Sequence, residues 1–297
     1  MKVLVTGSTG LIGSAVVDRL KGEGHEVCRL VRGTRGFREQ EINWDPDADL
    51  IDAERLEGLD GVVHLAGENI SSRWDAEKKR RIRESRVKGT ALLCHALAGL
   101  SRRPQVLVSA SAIGYYGSRG DQVMTEDARA GEGFLAEVCQ GWEEATAPAR
   151  AAGIRVVNLR IGVVLSGEGG ALDKMLPPFR LGLGGQVGDG KQYMSWISQR
   201  DLVRAVEFCL TNETMAGPVN ATSPNAVTNH EFTKTLGHVL SRPTVIPVPA
   251  VLLRGLFGEM ADEMLLASTR CAPQRLEAAG FTFEDADLEA TLREAVA

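Results

Sequence analysis

The sequence predicts an α/β fold in which a doubly wound parallel sheet is followed by a smaller C-terminal substrate lobe. Two patterns carry this prediction. Through residue 165, strands that are apolar on both faces alternate with helical segments, which is typical of a parallel sheet covered on both sides. The right-handed rule for crossover connections then makes the sheet doubly wound. Beyond residue 165 the alternation ends and the later segments are mostly helical.

Each element has a local signal. The predicted strands are, in chain order, VLVTG, HEVCRLVRG, EINWD, DGVVHLAG, PQVLVSASAIGYYG and IRVVNLRIGVVL. Helical spacing of apolar residues predicts helices in LIGSAVVDRLKGEG, 74–99, GFLAEVCQGWEEATAPARAAG, QRDLVRAVEFCLTN, TNHEFTKTLGHVLSR and ADLEATLREAVA. Thr228 or Asn229 is the expected N-cap of the fifth of these helices. The Gly-rich stretch 167–198 has no clear period and predicts a long functional loop, whereas the stretch from Pro243 starts extended and turns helical.

Composition narrows the class of protein. The chain has 297 residues, of which 43% are hydrophobic and 25% charged, as in ordinary globular proteins. A net charge of -5 argues against a nucleic-acid partner. The five cysteines form no CxxC pair, so we expect no metal site and a reducing compartment. No apolar run has the length of a signal peptide or a membrane span, which predicts a cytoplasmic protein without a membrane partner. The sequence gives no oligomeric state, and both a monomer and a homodimer stay open.

The stretch TGSTGLIGS lies between the first predicted strand and the first helix. Its glycines, Gly7, Gly10 and Gly13, have the spacing GxxGxxG. The first permits a tight turn, the second lets the backbone approach a pyrophosphate, and the third lets helix and strand pack closely. The helix N-terminus adds free N–H groups and a positive dipole. In this context the loop predicts a dinucleotide site, and an ordinary strand–helix turn is the alternative.

The end of the second strand indicates which dinucleotide is bound. NAD-binding folds place an acidic residue there to accept hydrogen bonds from the ribose hydroxyls. Here the strand ends LVRG, with Arg32 at that place and Arg35 and Arg38 close behind. A guanidinium would pair with a 2′-phosphate, which favours NADP. The alternative is that Arg32 is a solvated surface residue.

The chain also resembles a known group of enzymes. VTGSTGLIGSAVVDRLKGEGHEV, VVHLAGENI, SASAIGYYG, CQGWEEA, RIGVVLSGEGGALDKMLPPFRLGLGGQVGDGKQYMSWI and GEMADEMLLASTR are similar to the NAD-dependent epimerase/dehydratase family of the extended short-chain dehydrogenase/reductase superfamily. Within it, the chain resembles an atypical branch labelled epimerase family protein or putative cell-division inhibitor. The resemblance implies a Rossmann-like NADP-binding domain over 1–225, with its core in 1–165. It also implies a small helical domain of unknown role over 245–297.

The same resemblance implies where a cofactor lies. HLAG, VSASAIGYYG and RIGVVL should line it at the C-terminal ends of three strands, and Asp45 lies where such folds often meet the adenine. Arg86 replaces an amide that often supports the active site, and helical spacing places it with Ile82 at the edge of the cleft. The predicted cofactor-binding residues are Gly7, Thr9, Gly10, Leu11, Ile12, Gly13, Arg32, Asp45, Leu65, Ala66, Gly67, Arg81, Arg86, Ser109, Arg160 and Val163.

The catalytic residues that the superfamily implies are incomplete. Its Tyr and Lys form a YxxxK pair on the helix after the fifth strand, but that helix reads GFLAEVCQGWEEA, without either residue. Ser111 remains to orient a substrate oxygen, and a phenol, Tyr116 before Tyr115, would handle the proton. The alternative is that both tyrosines only pack over the pocket. His64 is given no catalytic role.

Two functions remain open at this point. The first is an NADP(H)-dependent oxidoreductase or epimerase-like enzyme that acts on a small carbonyl or hydroxyl compound. The second, favoured by the missing YxxxK pair, is a non-catalytic NADP-binding regulatory or sensor protein. A Gly-flanked segment with Tyr193, Ser195 and Trp196 is expected to cap the substrate cleft, or to be ordinary loop packing.

Overall fold

The computed structural model describes residues 1–33 and 40–297. The strands, in chain order, are β1 (Lys2–Thr6), β2 (Glu26–Arg32), β3 (Glu41–Asp45), β4 (Leu50–Ile51), β5 (Gly61–His64), β6 (Val106–Ala112), β7 (Val123–Met124), β8 (Arg155–Ile161), β9 (Val163–Leu165), β10 (Tyr193–Met194), β11 (Trp196–Ser198), β12 (Gly217–Ala221), β13 (Val227–Thr228) and β14 (Arg270–Cys271). The α-helices are α1 (Leu11–Gly22), α2 (Ala76–Gly99), α3 (Phe134–Glu144), α4 (Ala147–Ala151), α5 (Gly170–Arg180), α6 (Gln199–Thr211), α7 (Asn229–Val239), α8 (Ala250–Phe257), α9 (Gln274–Ala278) and α10 (Leu288–Val296).

The predicted doubly wound sheet is confirmed. Eight strands form the central sheet in the order β12-β8-β6-β5-β1-β2-β3-β4, and every neighbouring pair is parallel except β3 with β4. The chain leaves β1 toward β2 and β3, then returns to place β5 on the other side of β1. The direction of winding therefore reverses between β1 and β5, and ligands of open parallel sheets bind at such a switch point.

Two apolar layers cover this sheet because alternate side chains of each strand face opposite sides. Val157 and Leu159 of β8 pack on one side against α1 and α6, while Val156 packs on the other side with Leu93 and Leu97 of α2. These side chains are almost completely buried. At roughly 25 cal/mol per Å² of apolar area, each stabilises the fold by about 1.5–3 kcal/mol.

The segment predicted as a long loop, 167–198, instead contains α5. Leu172, Leu176 and Phe179 follow the spacing i, i+4, i+7 and are buried, so the segment has a helical apolar face. Pro177 and Pro178 lie inside the helix near its end. Proline lacks the N–H that a helix interior uses, so two prolines in this stretch argued against a helix when only the sequence was considered.

Two further elements are divided where the sequence predicted one. The helix predicted over residues 133–153 is α3 followed by α4, and Pro148 lies in the first turn of α4, where its missing N–H costs nothing. The last predicted strand is β8 followed by β9, which leaves the central sheet and pairs with β11. The predicted cap at Thr228 is confirmed, since its side chain accepts a hydrogen bond from the Glu231 N–H in a capping box.

The C-terminal part of the chain is tied to the sheet domain by polar contacts. β14 pairs with β7, and the Glu263 carboxylate accepts hydrogen bonds from the N–H groups of Phe134 and Leu135 at the start of α3. Glu263 lies in one turn of π-helix over Ala261–Leu265. Within 1–33 and 40–297, no helix combines the length and the apolar character that crossing a bilayer requires.

Candidate active site

The glycine-rich loop after β1 is built for close backbone contact. Gly7 has a φ of +64°, and a Cβ there would lie 2.9 Å from the carbonyl carbon of Leu65. A Cβ at Gly13 would lie 2.1 Å from the carbonyl oxygen of Gly7. Gly10 is the N-cap of α1 and supplies no side-chain cap, and the first turn, LIGS, carries no acidic residue. The Ser14 N–H donates to the Gly10 carbonyl, whereas the N–H groups of Leu11, Ile12 and Gly13 have no acceptor among the described residues, so they are available to an anion and the cradle fits a diphosphate.

A buried histidine joins this loop to the end of β5. Thr6 Oγ1 accepts hydrogen bonds from the N–H groups of Leu65 and Ala66, each at 3.0 Å, so its own proton points to His64 Nδ1 at 2.8 Å. His64 Nδ1 is then the acceptor, and Nε2 donates to Thr90 Oγ1 at 2.9 Å. Burial lowers the pKa of His64 to about 4. His64 is a neutral positioning residue, consistent with its having no catalytic role.

This geometry predicts a pH dependence of stability. The unfolded chain protonates His64 below about pH 6.5, whereas the folded chain does so only near pH 4. The stability that neutral His64 contributes is therefore complete above pH 6.5 and is lost as the pH falls toward 4, by about 3 kcal/mol. Urea unfolding between pH 7 and 4 should show this loss in the wild type and a flatter profile in His64→Gln. His95→Gln, at an exposed position on α2, should keep the wild-type slope; equal slopes for all three proteins would contradict the assignment.

A carboxylate that the sequence analysis did not single out organises the end of β6. Glu143 of α3 accepts a hydrogen bond from Ser111 Oγ at 2.8 Å. It also binds the Arg160 guanidinium through both carboxylate oxygens, at 2.8 and 2.9 Å. Burial lowers the pKa of Arg160, but the hydrogen bonds and charge of Glu143 outweigh it, and the net shift is upward. Ser111 is thus held in one orientation by a buried ion pair.

The structure does not support the expected catalytic role of Tyr116. Its side chain is 0% exposed, and its hydroxyl donates to Asn220 Oδ1 at 2.7 Å and accepts from Arg160 Nη1 at 2.9 Å. Burial raises the pKa of the Tyr116 phenol. Tyr115 differs: it is half-buried, Arg160 Cζ lies 3.5 Å from its ring centre, and its hydroxyl has no hydrogen bond to any residue that the structure describes. Tyr115 is therefore the better-placed phenol.

Arg160 also departs from its predicted role in binding a cofactor. All of its donor nitrogens are used within the protein, because Nη1 donates to Tyr116 and to the carbonyl of Glu126 as well. Ser109, predicted to contact the cofactor, is 0% exposed in the middle of the sheet opposite His64. The predicted contacts of Arg160 and Ser109 with a cofactor stay predictions. The burial of both side chains argues against them.

In the superfamily, the helix after the fifth predicted strand carries the Tyr and Lys of YxxxK. In this chain that helix is α3, and apolar residues occupy the two positions. Leu135 and Cys139 occupy one face of α3 beside Gly114, where a Cβ would lie 3.2 Å from Leu135 and 3.9 Å from Cys139 Sγ. Burial raises the pKa of the Cys139 thiol to about 12, so it is protonated at neutral pH. Proton transfer at this helix therefore has no Tyr, Lys or thiolate to use.

Arg86 places a cation against the HLAG segment. Its Nη1 donates to the carbonyl oxygens of Glu68 and Ile82, and a Cβ at Gly67 would lie 3.2 Å from its Cζ. The guanidinium lies over the Trp142 ring, with Cζ 4.9 Å from the ring centre. Burial lowers the pKa of Arg86, and no carboxylate lies within ion-pair distance in the described part of the chain. The arrangement leaves Nε and Nη2 for a bound anion.

A basic group lies at the end of β2, as expected for an NADP site. Arg32 is exposed there. The hydrogen bond from Lys78 lowers the pKa of Glu68, and the charges of Lys78, Arg81 and Arg32 act in the same direction. Lys78 pairs with Glu68 at 2.6 Å, and Arg81 lies 3.8 Å from both Glu68 and Glu77. No carboxylate among the described residues lies within ion-pair distance of Arg32, which leaves its charge for a phosphate. Arg35 and Arg38 lie outside the described residues. 

Other predicted residues occupy varied positions. Asp45 Oδ1 accepts from the N–H groups of Asp47 and Ala48, so it stabilises a local turn, and its contact with an adenine stays a prediction. Val163 begins β9, where its N–H donates to the Ser195 carbonyl. Thr9 is exposed in the loop, and Leu11 and Ile12 are half-buried in the first turn of α1. Trp196 and Ser195 are 0% exposed, which favours ordinary packing over a cap on the substrate cleft.

The fold and this site define a nucleotide-binding protein of the Rossmann-like class. Residues 3–221 match the family described as "NAD dependent epimerase/dehydratase family", and residues 248–295 match a "Domain of unknown function (DUF1731)". The chain belongs to the NAD-dependent epimerase/dehydratase family.

Relatives support this membership over the whole chain. An epimerase family protein of Mycobacterium tuberculosis is 46% identical over 282 residues, which cover 95% of this chain and 93% of the relative. The crystal structure of the human epimerase family protein SDR39U1 with NADPH superimposes with a TM-score of 0.89 at 34% identity, covering 100% of this chain and 99% of that one. A nucleoside-diphosphate sugar epimerase from Corynebacterium glutamicum gives a TM-score of 0.82 at 38% identity, covering 100% of this chain and 58% of that chain.

Proposed function

We propose that the chain binds NADP(H) at the switch point between β1 and β5. The α1 N-terminus and the glycine cradle would hold the diphosphate, and Arg32 with Arg81 would hold the 2′-phosphate. The observation that carries this proposal is the exposed Arg32 at the end of β2, where NAD-binding proteins place an acid. The NADPH in the human relative supports the same choice.

Removal of Arg32 tests the choice of dinucleotide. Arg32→Ala should raise the Kd for NADPH at least tenfold and change the Kd for NADH little, because a charge-assisted hydrogen bond to phosphate contributes about 1.5–3 kcal/mol. Isothermal titration calorimetry with both cofactors measures this. Lys21→Ala, which removes an exposed charge at the far end of α1, is the control. Equal wild-type affinity for NADPH and NADH would rule out the role of Arg32.

We further propose that the protein is an NADP(H)-dependent oxidoreductase or epimerase-like enzyme for a small carbonyl or hydroxyl compound. When bound, the nicotinamide supplies or accepts hydride. Ser111 is 2% exposed and donates its only proton to Glu143, so it would contact a substrate hydroxyl only by accepting a hydrogen bond at its oxygen. The free Tyr115 phenol would give or take the proton on the reacting oxygen. Arg86 would hold an anionic group of the cofactor or substrate.

Tyrosine variants test this division of roles. Once a carbonyl panel has identified a substrate by NADPH consumption, Tyr115→Phe should lower kcat/KM by about a hundredfold or more. Tyr116→Phe should lower the stability, because Arg160 loses an acceptor, and keep kcat/KM within a few-fold of the wild type. Full activity of Tyr115→Phe would remove that residue from the mechanism.

A non-catalytic NADP-binding sensor is the second candidate. Leu135 and Cys139 occupy the positions where the superfamily carries its proton-transferring Tyr and Lys, and neither can transfer a proton there. This substitution favours a sensor over an enzyme. For a sensor we expect tight NADPH binding and no turnover with any carbonyl or hydroxyl compound. We also expect NADPH to change the conformation of the protein, measured as altered hydrogen exchange outside the cofactor site. Turnover that depends on Tyr115 would exclude it.

A further inference from the structure

Large apolar side chains are exposed together in one region of the molecule. The segment between α5 and β10 exposes Leu181 at 75% and Leu183 at 58%, and the segment before α8 exposes Val245 at 76% and Ile246 at 51%. Soluble proteins expose single apolar side chains commonly, but a contiguous patch of several hundred Å² marks an interaction site.

The two segments lie side by side. Val187 forms a parallel bridge with Val248, the Gly188 N–H donates to the Val248 carbonyl, and the Val248 N–H donates to the Gln186 carbonyl. Gly182 abuts Pro243, since a Cβ at Gly182 would lie 3.7 Å from the proline ring. The four exposed side chains therefore belong to one surface.

Helix α8 extends this surface with one apolar face. Val251, Leu252 and Leu256 are 77%, 54% and 57% exposed, whereas Leu253 is buried and anchors the helix. At about 100° per residue, Val251, Leu252 and Leu256 lie within an arc of about 140° along one side of the helix, and Leu253 lies just beyond that arc beside Leu256. We call the paired segments 181–188 and 243–248 together with α8 the apolar shelf.

Cations flank the apolar shelf in a chain whose net charge is -5. From 232 to 258 there is no Asp or Glu but there are Lys234, Arg242 and Arg254, and 174–188 contains Lys174 and Arg180 without an acid. Arg254 is paired with Asp262 at 2.9 Å. Arg180, Lys234 and Arg242 are exposed, and no described carboxylate lies within ion-pair distance of them.

A cavity of about 330 Å³ opens on the shelf. Gln186, Lys234, Thr244, Val245 and Pro247 line it, so one cation and two polar side chains meet two apolar ones. The Lys234 ammonium has a 3.5 Å contact with the Thr244 carbonyl and no closer partner in the described part of the chain. A phosphate or carboxylate headgroup fits such a cavity, with apolar side chains directly beside it.

We propose that the apolar shelf binds the surface of a lipid bilayer that contains anionic lipids. An interfacial helix buries an apolar face in the headgroup region and places cations beside anionic headgroups, which is the combination that α8 and the flanking arginines and lysine present. A second copy of the chain fits less well, because a two-fold contact would oppose the unpaired cations of both copies. This inference does not depend on the proposed enzymatic function.

Vesicle co-sedimentation with the full chain tests the proposal. The wild type should sediment with vesicles of phosphatidylcholine and phosphatidylglycerol, bind vesicles of phosphatidylcholine alone at least tenfold more weakly, and be released by high salt. Leu252→Ser with Leu256→Ser, and separately Arg180→Glu with Arg242→Glu, should each weaken binding at least tenfold. All four positions are exposed, and thermal unfolding checks that each variant is folded.

Matched controls and alternative occupants complete the test. Leu50→Ser, at a position 63% exposed away from the shelf, and Lys21→Glu should leave vesicle binding unchanged. The proposal is overturned by no sedimentation with either vesicle, or by equal binding to both. It is also overturned if sedimentation equilibrium shows a dimer that Leu252→Ser with Leu256→Ser dissociates, or if polyglutamate binds while vesicles do not, which would assign the shelf to a second copy or to an acidic protein.

Discussion

Arg160→Met should lower the free energy of unfolding by about 3–5 kcal/mol, because it leaves the Glu143 carboxylate buried without its cation. The Arg160 and Glu143 side chains are 3% and 13% exposed, and two hydrogen bonds join them. The substitution also removes the donor to the Tyr116 hydroxyl. Urea unfolding at neutral pH measures the loss.

Two further variants make this result specific to a buried pair. Arg293→Met breaks an exposed pair with Glu289 on α10 and should change the stability by less than about 1 kcal/mol, since solvent screens that pair. Adding Glu143→Gln to Arg160→Met should recover part of the loss, because the unpaired charge is then gone. A cost for Arg160→Met as small as that for Arg293→Met would contradict the assignment of a buried pair.

The sequence determined the fold well because its strongest signals are local. Apolar strands, the glycine loop and the capped helices each show their pattern within about fifteen residues. The parallel sheet and the position of the Gly7 to Gly13 loop followed from those patterns. Helix α5 did not, because two prolines disguised a buried face that only tertiary packing reveals.

The site was less predictable because its contacts join distant residues. Ser111 and Glu143 are 32 positions apart, and Glu143 and Arg160 are 17 apart, so no local motif announces the ion pair. A glutamate on α3 one turn after Cys139 was the available signal, since that helix faces the site. The sequence also does not show which of the adjacent Tyr115 and Tyr116 is buried. Which ring is buried depends on Asn220, 104 residues from Tyr116.

Gly13→Ala should weaken NADPH binding by at least a hundredfold and lower the free energy of unfolding by about 1–3 kcal/mol. The new Cβ would lie 2.1 Å from the Gly7 carbonyl oxygen and 2.9 Å from the Ser8 Cα, and both are backbone atoms that no change of rotamer can move. The first turn of α1 would have to separate from the loop, which displaces the N–H groups that the proposal assigns to the diphosphate. Calorimetric titration with NADPH and urea unfolding measure the two effects.

Gly22→Ala is the matched control, because it makes the same substitution at the other end of the same helix. A Cβ at Gly22 meets no atom within 4 Å, and alanine favours a helix over glycine, so stability should stay equal or rise slightly. The pair of variants separates two claims. If Gly13→Ala loses stability but keeps its affinity for NADPH, the glycine loop serves only to pack α1 against β1, and the diphosphate binds elsewhere. If it loses both while Gly22→Ala loses neither, the close contact between loop and helix is what positions the cofactor.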